Sequence, residues 1–116
     1  MIIASTMDTY AARIVLRLKN EQPALNIMLE AAIPCPNQDQ LWSAEQKKEY
    51  ARLLLQCDKH TLVSEKYSAF CFQKRNVYMV DKSSLVIAVT DGRSGGTMNT
   101  VNYARSKQIP VIVLAP

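Results

Sequence analysis

The loop DGRSGG, at residues 91–96, has the clearest chemical potential in the sequence. It follows the apolar run LVIAV and leads directly into a segment with helical character. Gly95 and Gly96 would let a ligand come close to the backbone, because neither residue has a Cβ. The first amides of a helix have no partner within the helix and lie at the positive end of its dipole, so a phosphate or carboxylate can bind there. The loop is therefore predicted to bind an anion, and a tight packing turn is the alternative.

Polar side chains around this loop could complete a site. Thr97 could cap the helix and offer a hydroxyl, and Arg93 could supply positive charge. Asp91 could present a carboxylate, although an aspartate in a turn more often bonds its own loop. Asn99 could read a base edge or a ribose hydroxyl, or it could cap local backbone groups. The loop matches neither GxGxxG nor GxxxxGK[ST], so a dinucleotide fingerprint and a P-loop are disfavoured.

Composition narrows the classes of function. The 116 residues are enough for one domain, and the net charge of +4 suits anionic ligands without requiring nucleic acid. No apolar run is long enough to span a membrane and no signal-peptide pattern is present, so a cytoplasmic location is expected. The three cysteines form no CxxC pair and His60 stands alone, so neither a metal site nor a cofactor is predicted.

Helix-like and strand-like segments alternate along the chain. The predicted strands are apolar, as a parallel sheet covered on both faces requires. This pattern predicts an α/β protein with a Rossmann-like open, mainly parallel sheet and helices on both faces, in a single domain over residues 1–116. Ser43 and Gln46 make a capping-box pattern, and Phe72, Val77, Val80 and Met79 are expected to face inward. The predicted helices are Met7–Lys19, Ser43–Gln56, Ala69–Ser83 and Thr97–Lys107, and the predicted strands are Ala24–Ile33, His60–Ser64, Leu85–Val89 and Val111–Leu114.

The runs RNVYMVD, at residues 75–81, and DGRSGGT, at residues 91–97, resemble the most specific motifs of the YpsA-like branch of the SLOG superfamily, named for the SMF/DprA and LOG proteins. MDTYAARIVLRLK and IPCPNQDQLW are also similar to that branch, so the resemblance covers nearly the whole chain. It implies a Rossmann-like fold that binds nucleotides or related ligands. It also implies a ligand site at the glycine loop, to which Gly92 contributes with Gly95, Gly96 and Thr97.

A comparison with the LOG branch adds candidate residues. Its motif Pro–Gly–Gly–x–Gly–Thr–x–x–Glu is similar to this loop at Gly96 and Thr97, but its glutamate falls at Thr100, and a threonine cannot act as a carboxylate acid or base. No catalytic residue is therefore predicted. Arg75 keeps the LOG spacing to a methionine, which implies a phosphate or ribose contact, with a surface arginine as the alternative. Asn76 could read a base edge or a ribose hydroxyl.

The start of the chain departs from the family pattern. Ser5, Thr6 and Met7 stand where a glycine is usual, and the chain resembles a SLOG domain without its first strand, helix and strand. Asp8 could point into the pocket or cap the first helix. Either the pocket is incomplete or a partner subunit covers the exposed sheet edge, and on the second alternative a homo-oligomer is expected.

Three functions remain open at this stage. The first is binding or sensing of a nucleotide or phosphorylated nucleoside. The second is hydrolysis of nucleoside monophosphates of the LOG type, as a phosphoribohydrolase with Asp91 as a displaced carboxylate. The third, single-stranded DNA binding in the manner of DprA, is the least expected because it requires a contiguous basic face and the lysines are scattered.

Overall fold

The chain folds as an α/β protein with parallel strands, which confirms the predicted class. The computed structural model describes residues 6–116, with side chains described from residue 9 onwards. No helix in that part of the chain is both long and apolar enough to cross a membrane. The helices are α1 (Thr6–Glu21), α2 (Ala44–Gln56), α3 (Cys71–Asp81) and α4 (Gly96–Ser106), and the strands are β1 (Glu30–Ile33), β2 (Lys59–Leu62), β3 (Val86–Val89) and β4 (Val111–Leu114).

Two compact units make up the chain, Met1–Ser68 and Ala69–Pro116. In the first unit β1 pairs with β2, and in the second unit β3 pairs with β4. Both pairs are parallel, so each must be joined by a crossover that runs back along the strands. Helix α2 lies within the first crossover and α4 within the second. This is the connection that a Rossmann-like sheet requires.

The predicted strand over Ala24–Ile33 is wrong in its first part. Pro23–Leu25 form a short 3-10 helix, and the Asn26 N–H donates back to the Pro23 carbonyl over 3.2 Å. Asn26 has a φ of +54°, a left-handed conformation that asparagine tolerates better than most residues. Only Glu30–Ile33 pair with a neighbouring strand. Pro23–Leu25 are all exposed, so the apolar residues of this segment did not indicate a strand buried in a sheet.

The core of the first unit lies where α1 packs against α2. Ala12, Leu29, Tyr50 and Leu53 are buried there. The Tyr50 hydroxyl accepts a hydrogen bond from Gln38 Nε2 over 2.9 Å, and burial raises the pKa of this phenol. The Trp42 ring meets the Tyr50 ring edge-on at 5.2 Å. These contacts secure the loop ahead of α2 to the core.

Helix α2 begins with the predicted capping box. Gln46 N–H donates to Ser43 Oγ over 3.2 Å, and Ser43 N–H donates to Gln46 Oε1 over 3.0 Å. Each side chain thereby satisfies a backbone donor of the first turn that has no partner within the helix.

In the second unit, α4 packs against α3 and against both strands. Val80 on α3 and Val101 and Ala104 on α4 are fully buried. Strand side chains alternate between faces, and Ala88 is buried whereas the next residue back, Ile87, is 62% exposed. Ile112, paired with Ile87, and Leu114 are exposed as well, so one face of this strand pair remains aliphatic and open within residues 6–116.

Candidate functional site

The start of α4 is an exposed helix end with free backbone donors. Gly95 is the N-cap residue, and its carbonyl accepts the first helical bond from Asn99 N–H over 2.9 Å. The amides of Gly96, Thr97 and Met98 precede that bond, and no side chain of residues 9–116 caps them. Gly95, Gly96 and Thr97 are all exposed. The helix begins one residue before the predicted position, and its first amides are open to an anion.

The first part of the glycine loop bonds to itself. Gly92 N–H donates to Thr90 Oγ1 over 3.1 Å, and Arg93 N–H donates to Asp91 Oδ1 over 3.0 Å. The Arg93 guanidinium also pairs with Asp91 Oδ2 at 3.1 Å. Gly92 has a φ of +90°, a backbone conformation that glycine adopts readily. Asp91 and Gly92 thus shape the turn, and the free donors lie further on, from Gly96.

Thr100 occupies the position of the LOG-type glutamate. Its hydroxyl donates to the Gly96 carbonyl over 2.9 Å, one helical turn back. The side chain is therefore folded against its own helix and presents no carboxylate at this end of α4.

Arg75 is buried on α3, with only 6% of its surface exposed. Its Nε donates to the side-chain oxygen of the neighbouring Asn76 over 2.9 Å, and its guanidinium carbon lies 5.7 Å from the centre of the Phe72 ring. The surface-arginine interpretation is therefore wrong. Phe72 was expected to face inward, but it is 42% exposed, because the buried face of α3 is formed by Cys71, Arg75 and Val80 and Phe72 lies beside it.

Helices α3 and α4 run in the same direction. Each is followed by a strand of one parallel, in-register pair, so the C-terminal ends of both helices lie near the same end of that pair. Tyr103, late in α4, donates its hydroxyl proton to Asp81 Oδ1 at the end of α3 over 2.8 Å. The N-terminal ends of the two helices therefore lie together at the opposite end, where β3 leads into the glycine loop.

The Tyr103–Asp81 hydrogen bond serves as a reference point for the position of each candidate residue along its helix axis. Arg75 lies six residues before Asp81, and Thr97 lies six residues before Tyr103. At about 1.5 Å per residue, both are about 9 Å along the helix axes from this hydrogen bond. The buried guanidinium and the open amides of α4 consequently share one end of the second unit, as ligand sites do at the carboxyl ends of parallel strands.

Two further candidate residues are Asn99, whose surroundings the structure describes, and Asp8, whose side chain it does not describe. Asn99 is exposed in the first turn of α4, beside the open amides. Asp8 belongs to α1 in the first unit, and its side chain lies outside the described residues. A role for Asp8 in the site stays a prediction.

The structure also forms a groove that sequence inspection did not anticipate. It lies between α1 and α2, where Arg13, Arg17 and Arg52 converge from segments far apart in sequence. Arg13 Nε donates to Glu49 Oε1 over 2.7 Å, and this bond lowers the pKa of the Glu49 carboxyl. None of the predicted site residues lines the groove. Within residues 6–116, no group of three His, Cys, Asp or Glu side chains could hold a metal ion.

The fold is that of an α/β protein in which a glycine-rich turn leads from β3 into α4. The YpsA family model, described as the YspA SLOG family, matches residues 2–110, so the chain belongs to this SLOG family. Membership supports a broad nucleotide-related role and confirms the resemblance inferred from the two motifs.

One relative extends this comparison. The chain is 38% identical over 100 residues to the uncharacterised SPbeta prophage-derived protein YoqJ of Bacillus subtilis strain 168. The match covers 76% of this chain and 57% of the relative. The chain therefore spans little more than half the length of that relative.

Proposed function

We propose that this protein binds a nucleotide or a phosphorylated nucleoside, and that it senses or sequesters this ligand. One observation supports the proposal above all others: the exposed start of α4, where the amides of Gly96, Thr97 and Met98 have no side-chain cap within the described chain. A phosphate group accepts hydrogen bonds from such amides and is attracted by the helix dipole. Membership of the SLOG family agrees with a ligand of this kind.

Other residues would complete the binding site. Gly95 and Gly96 leave the helix start accessible, since a Cβ built at either would meet no atom within 4 Å. The Thr97 hydroxyl can donate to a phosphate oxygen, and Arg75, at the level of Thr97, supplies positive charge. Asn76 and Asn99 are the candidates for contact with the ribose or the base. Asp91 and Gly92 would support the site by holding the turn.

Binding without hydrolysis is the form of this function that the side chains favour. A LOG-type hydrolase needs a carboxylate at the position of Thr100, whose hydroxyl is bonded to the Gly96 carbonyl. Asp91, the possible substitute, accepts from the Arg93 amide and pairs with the Arg93 guanidinium. Both oxygens of this carboxylate therefore have partners within the loop itself.

Isothermal titration with AMP and with inorganic phosphate tests the proposal. Gly96→Asp places a negative charge at the open amides and should weaken binding by roughly tenfold or more through repulsion. The same variant should be no less stable than the wild type, because an acidic residue is favourable in a first helical turn. Asn102→Asp is the matched control, since it makes the same change of charge at an exposed position later in α4.

Two results would contradict the proposal. One is a wild-type protein that binds neither AMP nor phosphate at millimolar concentration. The other is a Gly96→Asp variant that binds as well as the Asn102→Asp control.

The cytoplasmic location and the homo-oligomer remain predictions. Sedimentation velocity over a range of protein concentrations would report self-association directly. A single monomeric species at all concentrations would contradict the expected oligomer.

A further inference from the structure

Both phenylalanines of the chain lie at the start of α3. Phe70 is the N-cap residue of this helix and Phe72 is its second residue. Phe72 lies three residues before Arg75, so the two side chains share a face of the helix. The Arg75 guanidinium lies over the Phe72 ring at 5.7 Å, and this cation–π contact holds an aromatic ring that is 42% exposed.

The position of this ring along α3 matches the start of α4. Phe72 lies nine residues before Asp81, and Gly95 lies eight residues before Tyr103. At about 1.5 Å per residue, the two positions lie about 13.5 Å and about 12 Å along the helix axes from the Tyr103–Asp81 hydrogen bond. A half-exposed ring, a guanidinium and open helix amides therefore occur at the same end of the paired helices.

We propose that Phe72 provides the surface on which the base of the bound nucleotide stacks. The inference rests on the proposed function and narrows its ligand class to nucleotides with an intact heteroaromatic base, as opposed to sugar phosphates or inorganic phosphate. An aromatic ring accepts any base by stacking, because every base has a π face. A ring held by a neighbouring cation loses little conformational freedom when the ligand arrives.

The test compares three ligands that share a phosphate: AMP, ribose 5-phosphate and inorganic phosphate. Isothermal titration is performed on the wild type and on Phe72→Ala, Phe72→Tyr and Phe70→Ala. Phe72→Ala should weaken AMP binding by about 5- to 150-fold, the range expected for loss of one base–aromatic stack. Its binding of the other two ligands should stay within about twofold of wild type, because neither carries a base.

The other two variants serve as controls. Phe72→Tyr keeps the ring and should keep AMP binding. Phe70→Ala removes the same kind of side chain two residues away, where it projects from another side of the helix, and should also keep AMP binding.

Several outcomes would overturn the inference. Unchanged AMP binding in Phe72→Ala would overturn the inference and leave the proposed function intact. The same holds if Phe72→Ala weakens the binding of all three ligands equally, or if Phe70→Ala weakens AMP binding as much as Phe72→Ala does. A wild type that binds ribose 5-phosphate as tightly as AMP would also overturn it. Failure of the wild type to bind any of the three would overturn this inference and the proposed function together.

Discussion

The hydroxyl of Tyr103 on α4 donates a hydrogen bond to Oδ1 of Asp81, the last residue of α3, over 2.8 Å. The Lys107 ammonium lies 5.6 Å from the centre of the same tyrosine ring. This tie joins the C-terminal parts of two helices that run in the same direction. It thereby relates the levels of Arg75 and Thr97, which each lie six residues before it. Neither residue of this hydrogen bond belongs to the candidate site.

The tie predicts a dependence of stability on alkaline pH. The hydrogen bond to Asp81 raises the pKa of the Tyr103 phenol above its usual value. A raised pKa in the folded state means that the contribution to stability is fully present below the unfolded pKa, near 10, and is lost as pH rises through the folded pKa. Tyr103→Phe should therefore be less stable than the wild type at pH 8, and this difference should shrink above about pH 10.

Urea unfolding from pH 8 to pH 11 measures that difference. Asp81→Asn is the control, because the asparagine oxygen still accepts the hydrogen bond and should preserve most of the stability at pH 8. If the difference in the free energy of unfolding between Tyr103→Phe and wild type stays constant over the whole pH range, ionisation of Tyr103 is not involved.

Asp58 predicts the opposite dependence, at acid pH. Its Oδ1 pairs with Lys19 Nζ at 2.5 Å, and its Oδ2 accepts from Leu29 N–H over 2.8 Å. The Lys19 hydrogen bond, with the Leu29 amide, lowers the pKa of the Asp58 carboxyl. The stabilisation is therefore present above the unfolded pKa, about 3.9, and is lost as pH falls through the folded pKa.

Asp58→Asn should consequently lower the melting temperature at pH 7, and the deficit should diminish below about pH 4. Thermal unfolding followed by circular dichroism at about pH 7 and about pH 3 provides the measurement. Glu65→Gln, which removes a carboxylate from an exposed side chain, is the matched control and should change little. A deficit for Asp58→Asn that is as large at pH 3 as at pH 7 would refute the role of its charge.

The two adjacent glycines before α4 should respond differently to alanine. Gly95 has φ +153° and ψ −169°, a conformation that residues with a Cβ rarely adopt, so Gly95→Ala should destabilise the protein by about 1–3 kcal/mol. Gly96 lies within the helix, so Gly96→Ala should be neutral or stabilising by up to about 1 kcal/mol. Chemical denaturation of both variants provides the comparison. Because neither Cβ would meet a neighbouring atom, equal effects would mean that backbone conformation is not the cause.

The capping box of α2 predicts that loss of the Ser43 side-chain acceptor lowers the free energy of unfolding. Ser43→Ala removes the acceptor of the Gln46 amide and should reduce the free energy of unfolding by about 1 kcal/mol. Ser43→Asp retains an acceptor at the same position and should lose little. Guanidinium denaturation of both variants distinguishes a lost cap from a lost hydroxyl. Similar losses in the two would count against the capping role.

Local patterns were enough to predict several parts of this structure. The apolar run before residue 90 became β3, the serine and glutamine three residues apart became a capping box, and β4 has the predicted bounds Val111–Leu114. These features depend on residues close together in sequence, whose backbone preferences act locally. The strand predicted over Ala24–Ile33 failed in its first part because Pro23–Leu25 form an exposed 3-10 turn, so the apolar residues there did not reflect burial in a sheet.

The sequence predicted which residues form the candidate site but not how its side chains are placed. The glycines predicted an accessible helix start, and Thr97 and Asn99 follow within four residues of Gly95. The orientation of Phe72 and the burial of Arg75 were not predictable, because helical periodicity alone does not say which neighbouring side chain is covered. The self-bonding of Asp91 within its turn was one of two open interpretations.

The amino-acid sequence by itself determined the order of helices and strands, the capping of α2 and the glycine turn before α4, since each is encoded in short contiguous runs. It also determined the membership of the SLOG family, whose model matches residues 2–110. Only the tertiary structure decided that Tyr103 contacts Asp81 and that Arg75 is buried beside the half-exposed Phe72 ring. It also decided that α3 and α4 run in the same direction. Those relationships join residues up to 22 positions apart. They arise when parallel strands set the ends of their helices side by side, and that arrangement is a property of the packed chain.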